Sequence, residues 1–140
     1  MPNPTISIVR LMSWPAFKTK KAKPEETLCR DFANELRGLT LDGNLRGVWT
    51  HVPNEIGWGN NRISQMIYAC AKSMGMIVGA SDYVFLGPNG ALALEAKSST
   101  GQLHAGQKDF RQWCAEQEVP YEVFRTVEEG LTHLRTHGFI

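Results

Sequence analysis

Two β-prone apolar runs flank a cluster of turn formers: Gly79 to Leu86, then Gly87-Pro88-Asn89-Gly90, then Ala91 to Lys97. No other stretch constrains the fold as tightly. The pattern predicts strand, turn, strand, yet each run carries charge where a buried strand should have none. A loop from Gly87 to Gly90 sets Leu86 opposite Ala91 and Asp82 opposite Glu95. A two-residue Asn89-Gly90 loop sets Asp82 opposite Lys97 instead. Side chains alternate between faces, so either even-length loop puts Asp82, Glu95 and Lys97 on one face. An odd-length loop would break the grouping. Two carboxylates and a lysine on one patch of sheet are the makings of a divalent-metal site.

At 140 residues the chain is expected to form one domain with a sizeable core. Its net charge is only +1, so affinity for nucleic acid must come from where charges sit rather than from bulk basicity. Cys29, Cys70 and Cys114 lack metal-ligand spacing, and each lies in an apolar helical pattern. Reduced core thiols are expected, which suits a cytosolic protein. No apolar run reaches transmembrane length, and the N-terminus lacks the pattern of a signal peptide. A membrane partner is therefore not expected.

Residues Thr5 to Met12 are β-prone and are expected to form a short edge strand or an arm reaching a partner chain, ended by Trp14-Pro15. Lys18, Lys20, Lys21 and Lys23 follow, readable as a solvated linker or as a basic arm touching phosphates. Residues 1–23 are thus an N-terminal strand and basic arm, and residues 24–140 the domain proper. Pro24-Glu25-Glu26 opens a helix, with proline in the first turn and acids at the positive end of its dipole. Leu28, Phe32, Leu36 and Leu39 form its apolar stripe. At 100° per residue Glu25 falls within that stripe and Glu26 roughly 100° away. Glu25 either decorates the first turn or aims a carboxylate at the sheet.

Gly47 to Val52 is expected to be a strand ended by Pro53, followed by a glycine- and asparagine-rich loop, Asn54 to Asn61. Trp58 in that loop could stack on a base or fold back as a lid on the core. Ile63, Met66, Ile67, Cys70 and Met74 define a second amphipathic helix. A third runs from about His104 to Glu118, with Leu103, Gln107, Phe110, Trp113 and Cys114 on one face. Tyr121 to Arg125 is a strand, and Thr126 with Glu129 fits the capping box of a last helix. The order helix, strand, helix, strand, strand, helix, strand, helix predicts a mixed sheet flanked by helices.

An acid-x-Lys on a strand is by itself the charged face of many edge strands. Here Val84, Phe85, Leu86, Leu92 and Leu94 mark the hairpin as central and buried. A carboxylate pair there costs several kcal/mol unless a cation or hydrogen bonds compensate. Mg²⁺ takes one or two carboxylates plus water and substrate phosphate. Asp82 and Glu95 offer those carboxylates, and a main-chain carbonyl at the end of the second strand can add a ligand. Lys97 can orient or deprotonate a water, or offset phosphate charge. Such a set can hydrolyse a phosphodiester.

Gly79-x-x-Asp82, the hairpin, Glu95-Ala96-Lys97 and Gly101-x-Leu103-x-x-x-Gln107 together resemble the VRR-NUC branch of the PD-(D/E)xK nuclease superfamily. Val52-Pro53-Asn54-Glu55, Glu25-x-x-Leu28 and the strand and helix after Val119 extend the resemblance over most of the chain from about residue 24. It implies an α/β restriction-endonuclease-like core, with a mixed four-stranded sheet between helices and a site for Mg²⁺ or Mn²⁺. By position it implies Asp82, Glu95 and the backbone carbonyl of Ala96 as metal ligands. Lys97 is then the catalytic lysine, Glu25 the first-helix acid and Gln107 the supporting glutamine. Ser81 replaces a common proline, which should affect only strand entry. His104 replaces a small capping residue and is expected to cap poorly or to face the substrate.

Small stand-alone members, from phages or bacteria, resemble dimeric structure-specific endonucleases acting on branched DNA such as four-way junctions. The expectation is therefore a cytoplasmic homodimer, in a bacterial cell or phage-infected host, with no organic cofactor. Phosphate contacts would come from Lys18, Lys20, Lys21, Lys108 and Arg111. Two rival readings stand beside it: a non-catalytic nucleic-acid-binding or assembly module, and a sequence-specific restriction-type enzyme. His133-x-x-x-His137 has the spacing of a zinc pair, but no glutamate adjoins it and no third ligand is near in sequence, so surface histidines at a frayed helix end are expected. Ser98-Ser99-Thr100 offers no nucleophile elbow.

Overall fold

The computed structural model describes residues 6–14, 22–53 and 61–140. Its elements are α1 (Ile6–Met12), α2 (Pro24–Leu41), β1 (Val48–His51), α3 (Arg62–Ser73), β2 (Tyr83–Gly87), β3 (Gly90–Ala96), α4 (Ala105–Glu116), β4 (Tyr121–Phe124) and α5 (Val127–Thr136). The sheet runs β1-β2-β3-β4. Its first three strands are antiparallel, and β4 joins β3 in parallel. Among the described residues, no helix is long and apolar enough to cross a membrane.

The hairpin turns over Pro88-Asn89. Gly87 pairs with Gly90 and Leu86 with Ala91, so the register is the one that sets Asp82 across from Glu95. The alternative Asn89-Gly90 loop is not adopted. Alternation then divides the residues between two faces. Tyr83, Phe85, Leu92, Leu94, Ala96 and Phe124 point to one side, where Phe32 and Leu36 of α2 and Leu134 of α5 complete the core. Phe32 lies 4.5 Å from Phe124 and meets Tyr83 edge-on at 5.3 Å. Each such side chain contributes about 1.5–3 kcal/mol when fully buried. Glu95, Ala93 and Val84 point to the other side, under α4, where Gln107 and Cys114 are buried.

Helix α2 begins at its proline, as the sequence suggests, and Glu26 pairs with Arg30 at 2.7 Å one turn on. Helix α5 begins at Thr126, whose hydroxyl accepts the Glu129 N–H at 3.1 Å. Ser81 is buried at the entry to β2, and its hydroxyl donates to the Tyr83 carbonyl at 3.0 Å.

Three expectations are corrected. Residues Ile6–Met12 are a helix, not a strand. Ile8 and Met12, four apart, are half-buried while Val9 and Leu11 are exposed. Packing against α2 outweighs the few tenths of a kcal/mol that β-branched residues cost a helix. Cys70 is not a core thiol but lies exposed on α3, because no described residue of that helix is buried. His133 and His137 are not a frayed surface pair. Both are about three-quarters buried and lie near Glu122 of β4, at 3.7 and 3.5 Å, and His133 Nε2 bonds the Val123 carbonyl of that strand at 3.1 Å.

Candidate active site

At the open end of the hairpin, backbone and carboxylates interlock. The Asp82 N–H donates to Glu95 Oε2 at 3.2 Å, and the Ala96 N–H donates to Asp82 Oδ2 at 2.8 Å. Each acid is therefore held by the strand that carries the other. Glu95 is only 2% exposed. Burial, and then the facing Asp82 carboxylate, push its carboxyl up to about 9 against the pull of Lys97. The reluctance of Glu95 to ionise comes first from burial and then from the neighbouring acid.

Lys97 lies two residues beyond Glu95, on the same face by strand alternation, and is 5% exposed. Its backbone N–H continues the parallel ladder by donating to the Phe124 carbonyl at 3.0 Å. Among the described residues, its ammonium makes no hydrogen bond or ion pair.

Helix α4 supplies the next layer. Gln107 donates from Nε2 to Glu95 Oε1 at 2.5 Å, while its own carbonyl oxygen accepts the His104 N–H at 3.1 Å. The two contacts fix which end of the amide faces the acid. Gly79 makes this approach possible: at φ +91°, any side chain there would collide with the backbone of Gly106. His104 caps α4 through its backbone, makes no side-chain cap hydrogen bond, and lines the cleft.

Glu25, in the first turn of α2, reaches the loop after Lys97. Its Oε1 accepts the Ser98 N–H at 3.3 Å. It does not complete a metal cage: among the described residues, no three His, Cys, Asp or Glu side chains group closely enough to hold an ion. The donors on hand are two carboxylates and a main-chain carbonyl, all hard oxygens. That set fits Mg²⁺ or Mn²⁺ better than zinc, which prefers sulfur and nitrogen.

Two contributors escaped the sequence reading. Arg125 donates from Nη1 to the carbonyls of Ser98, at 2.6 Å, and Gly101, at 2.8 Å, which clamps the turn that carries the Glu25 partner. Tyr121 stands on the same face as Glu95, and its buried hydroxyl has no hydrogen-bond partner among the described residues. Burial, then the Glu95 and Asp82 charges, raise that phenol well above its usual range. Bonds to carbonyls and orphaned hydroxyls carry no sequence signature.

A cleft of about 1120 Å³ opens over this end of the sheet, lined by Lys23, Glu25, Asp82, Glu95, His104 and Gln107 among others. Lys108 and Arg111 are exposed on α4. Lys18, Lys20, Lys21 and Trp58 lie outside the described residues.

No protein-family model matches the chain, and no curated protein matches it by sequence. A solved structure described as a VRR_NUC domain protein superposes with a TM-score of 0.57 at 15% identity, covering 84% of this chain and 90% of that one. At that identity the likeness is one of fold. The chain has a restriction-endonuclease-like α/β core, a mixed four-stranded sheet flanked by helices.

Proposed function

We propose that the chain is a VRR-NUC-type nuclease of the PD-(D/E)xK superfamily, of the small stand-alone phage or bacterial kind. It is a metal-dependent, structure-specific DNA endonuclease that cuts branched DNA such as four-way junctions. One observation carries the reading: Asp82 and Glu95 are interlocked in the lining of a large cleft, with Lys97 two residues on.

Asp82, Glu95 and the Ala96 carbonyl would hold Mg²⁺ or Mn²⁺, which when bound polarises the phosphate and lowers the pKa of water. Lys97 orients or deprotonates the attacking water, or neutralises oxyanion charge on the phosphate. Gln107 keeps Glu95 in one rotamer through its hydrogen bond. Glu25 acts from the rim through a water. Lys18, Lys20, Lys21, Lys108 and Arg111 contact phosphates, and Trp58 stacks on a base. A symmetric pair of chains presents two such sites to two strands, the arrangement that junction cleavage needs.

The test is incubation of four-way junctions and linear duplexes with Mg²⁺ or Mn²⁺, alongside Lys97→Ala and Asp82→Asn. Wild type should cut the junction, largely spare the duplex and lose activity in both variants. Intact junctions with every metal would sink the proposal. Discrete cuts in plain duplex would point to a restriction-type enzyme instead.

A further inference from the structure

The hydrolysis proposed above moves two protons, and the residues named so far account for one. When water attacks phosphorus it sheds a proton, which Lys97 is placed to take. The bond to the leaving oxygen then breaks with both electrons on that oxygen, which departs more readily if a proton is supplied as it goes. Asp82 and Glu95 accept hydrogen bonds from each other's strands, and Gln107 is an amide, so none of the three is placed as that donor.

Helix α4 carries a group that is. His104 stands at its N-cap, a position where serine, threonine, aspartate or asparagine is preferred. Its ring makes no side-chain cap hydrogen bond, and among the described residues it makes no other hydrogen bond and no ion pair. The side chain is exposed and lines the same cleft as Asp82 and Glu95. Imidazole is also the side chain that most readily gives up and regains a proton near neutral pH.

The backbone of His104 is fixed relative to the acids. Its N–H donates to the Gln107 carbonyl oxygen at 3.1 Å, and the nitrogen of the same amide donates to Glu95. The ring lies beside Gly106, with Cε1 and Nδ1 3.6 Å from the point where a side chain on that glycine would begin. The imidazole is thus anchored two hydrogen bonds from Glu95, on the α4 side of the sheet to which that acid points. Two other cleft side chains able to pass a proton are engaged elsewhere. Tyr83 donates its hydroxyl to the Cys29 carbonyl at 2.9 Å. His51 pairs with Tyr83 across the strands and packs against its ring at 5.2 Å, on the face of the sheet opposite Glu95.

We propose that His104 is the general acid of the reaction. Its imidazolium N–H protonates the leaving oxygen as the P–O bond breaks, and solvent returns a proton to the neutral ring. The role rests on the nuclease reading above and supplies a residue that reading lacks.

The experiment compares wild type with His104→Asn, which installs a preferred N-cap residue and so keeps the fold. Both proteins cut a labelled four-way junction in Mn²⁺, made once with the natural oxygen at the scissile bond and once with sulfur in the leaving position. A thiolate leaves without a proton. The variant should cut the oxygen junction ~10²- to 10⁴-fold more slowly than wild type, yet cut the sulfur junction within ~3-fold of it. Its Tm should be no lower, and its affinity for the junction by mobility shift should be unchanged. A variant equally slow on both junctions would make His104 a phosphate contact or a structural residue, and one slow on neither would give it no role; either result overturns the proposal and leaves the nuclease reading standing. A wild type that cuts neither junction would remove both together.

Discussion

Gln107 Nε2 lies 2.5 Å from Glu95 Oε1, and the Gln107 carbonyl oxygen is held by the His104 N–H. A bond of this kind sets the orientation of the acid proposed as a metal ligand without touching the metal. Replacing Gln107 by Leu leaves Glu95 with one fewer donor and a free rotamer. Metal affinity, titrated calorimetrically with Mn²⁺, should fall ~10- to 100-fold. Unchanged affinity would mean that Gln107 serves only to start α4.

Glu95 makes the metal-free protein pH-sensitive. Burial and then Asp82 raise its carboxyl from 4.5 to about 9 in the folded state. A carboxyl raised by folding favours the folded state while protonated. That contribution is full below about pH 4.5 and is lost as pH rises through about 9. In chelator, wild-type Tm should decline across this window relative to Glu95→Gln, and at its alkaline end the variant should be the more stable by several degrees. Parallel Tm–pH profiles would contradict it.

Arg125 ties the Ser98 and Gly101 carbonyls to the end of β4. Hydrogen bonds from a charged donor are worth about 1.5–3 kcal/mol, so Arg125→Ala should lower unfolding stability by that order. Because Ser98 holds Glu25, cleavage should fall further than the stability loss explains, and Arg125→Lys should recover only part of it. Full activity in a folded Arg125→Ala protein would show that the turn holds itself.

Tyr121→Phe offers an opposite sign. Removing a buried hydroxyl that lacks a partner should leave stability unchanged or raise it by about 1 kcal/mol in denaturant melts. A loss of similar size would show that an ordered water links the phenol to its surroundings.

Much of the site was legible because it follows from parity. For any even-length loop within Gly87 to Gly90, strand alternation brings Asp82, Glu95 and Lys97 to one face, while the choice between the two possible registers is made only in the folded hairpin. The third helix was legible from its apolar spacing. What could not be read depends on partners distant in sequence. A seven-residue apolar run, Ile6–Met12, is equally a strand or a helix until α2 lies beside it. The periodicity of α3 announces an apolar stripe but not that the chain's own core leaves it bare. Glu122 meets His133 and His137 only after β4 and α5 have packed, so the histidine spacing alone pointed to the wrong environment.

The most direct test is single-turnover cleavage of a labelled four-way junction by wild type and Lys97→Ala, each saturated with Mn²⁺, with DNA binding followed in parallel by mobility shift. Wild type should cut. The variant should bind the junction and the metal with near-normal affinity, yet cleave ~10²- to 10⁴-fold more slowly, the span expected for loss of a proton-transfer or charge-stabilising group. Equal cleavage rates in the two proteins would contradict the assignment of Lys97 and the nuclease site built around it.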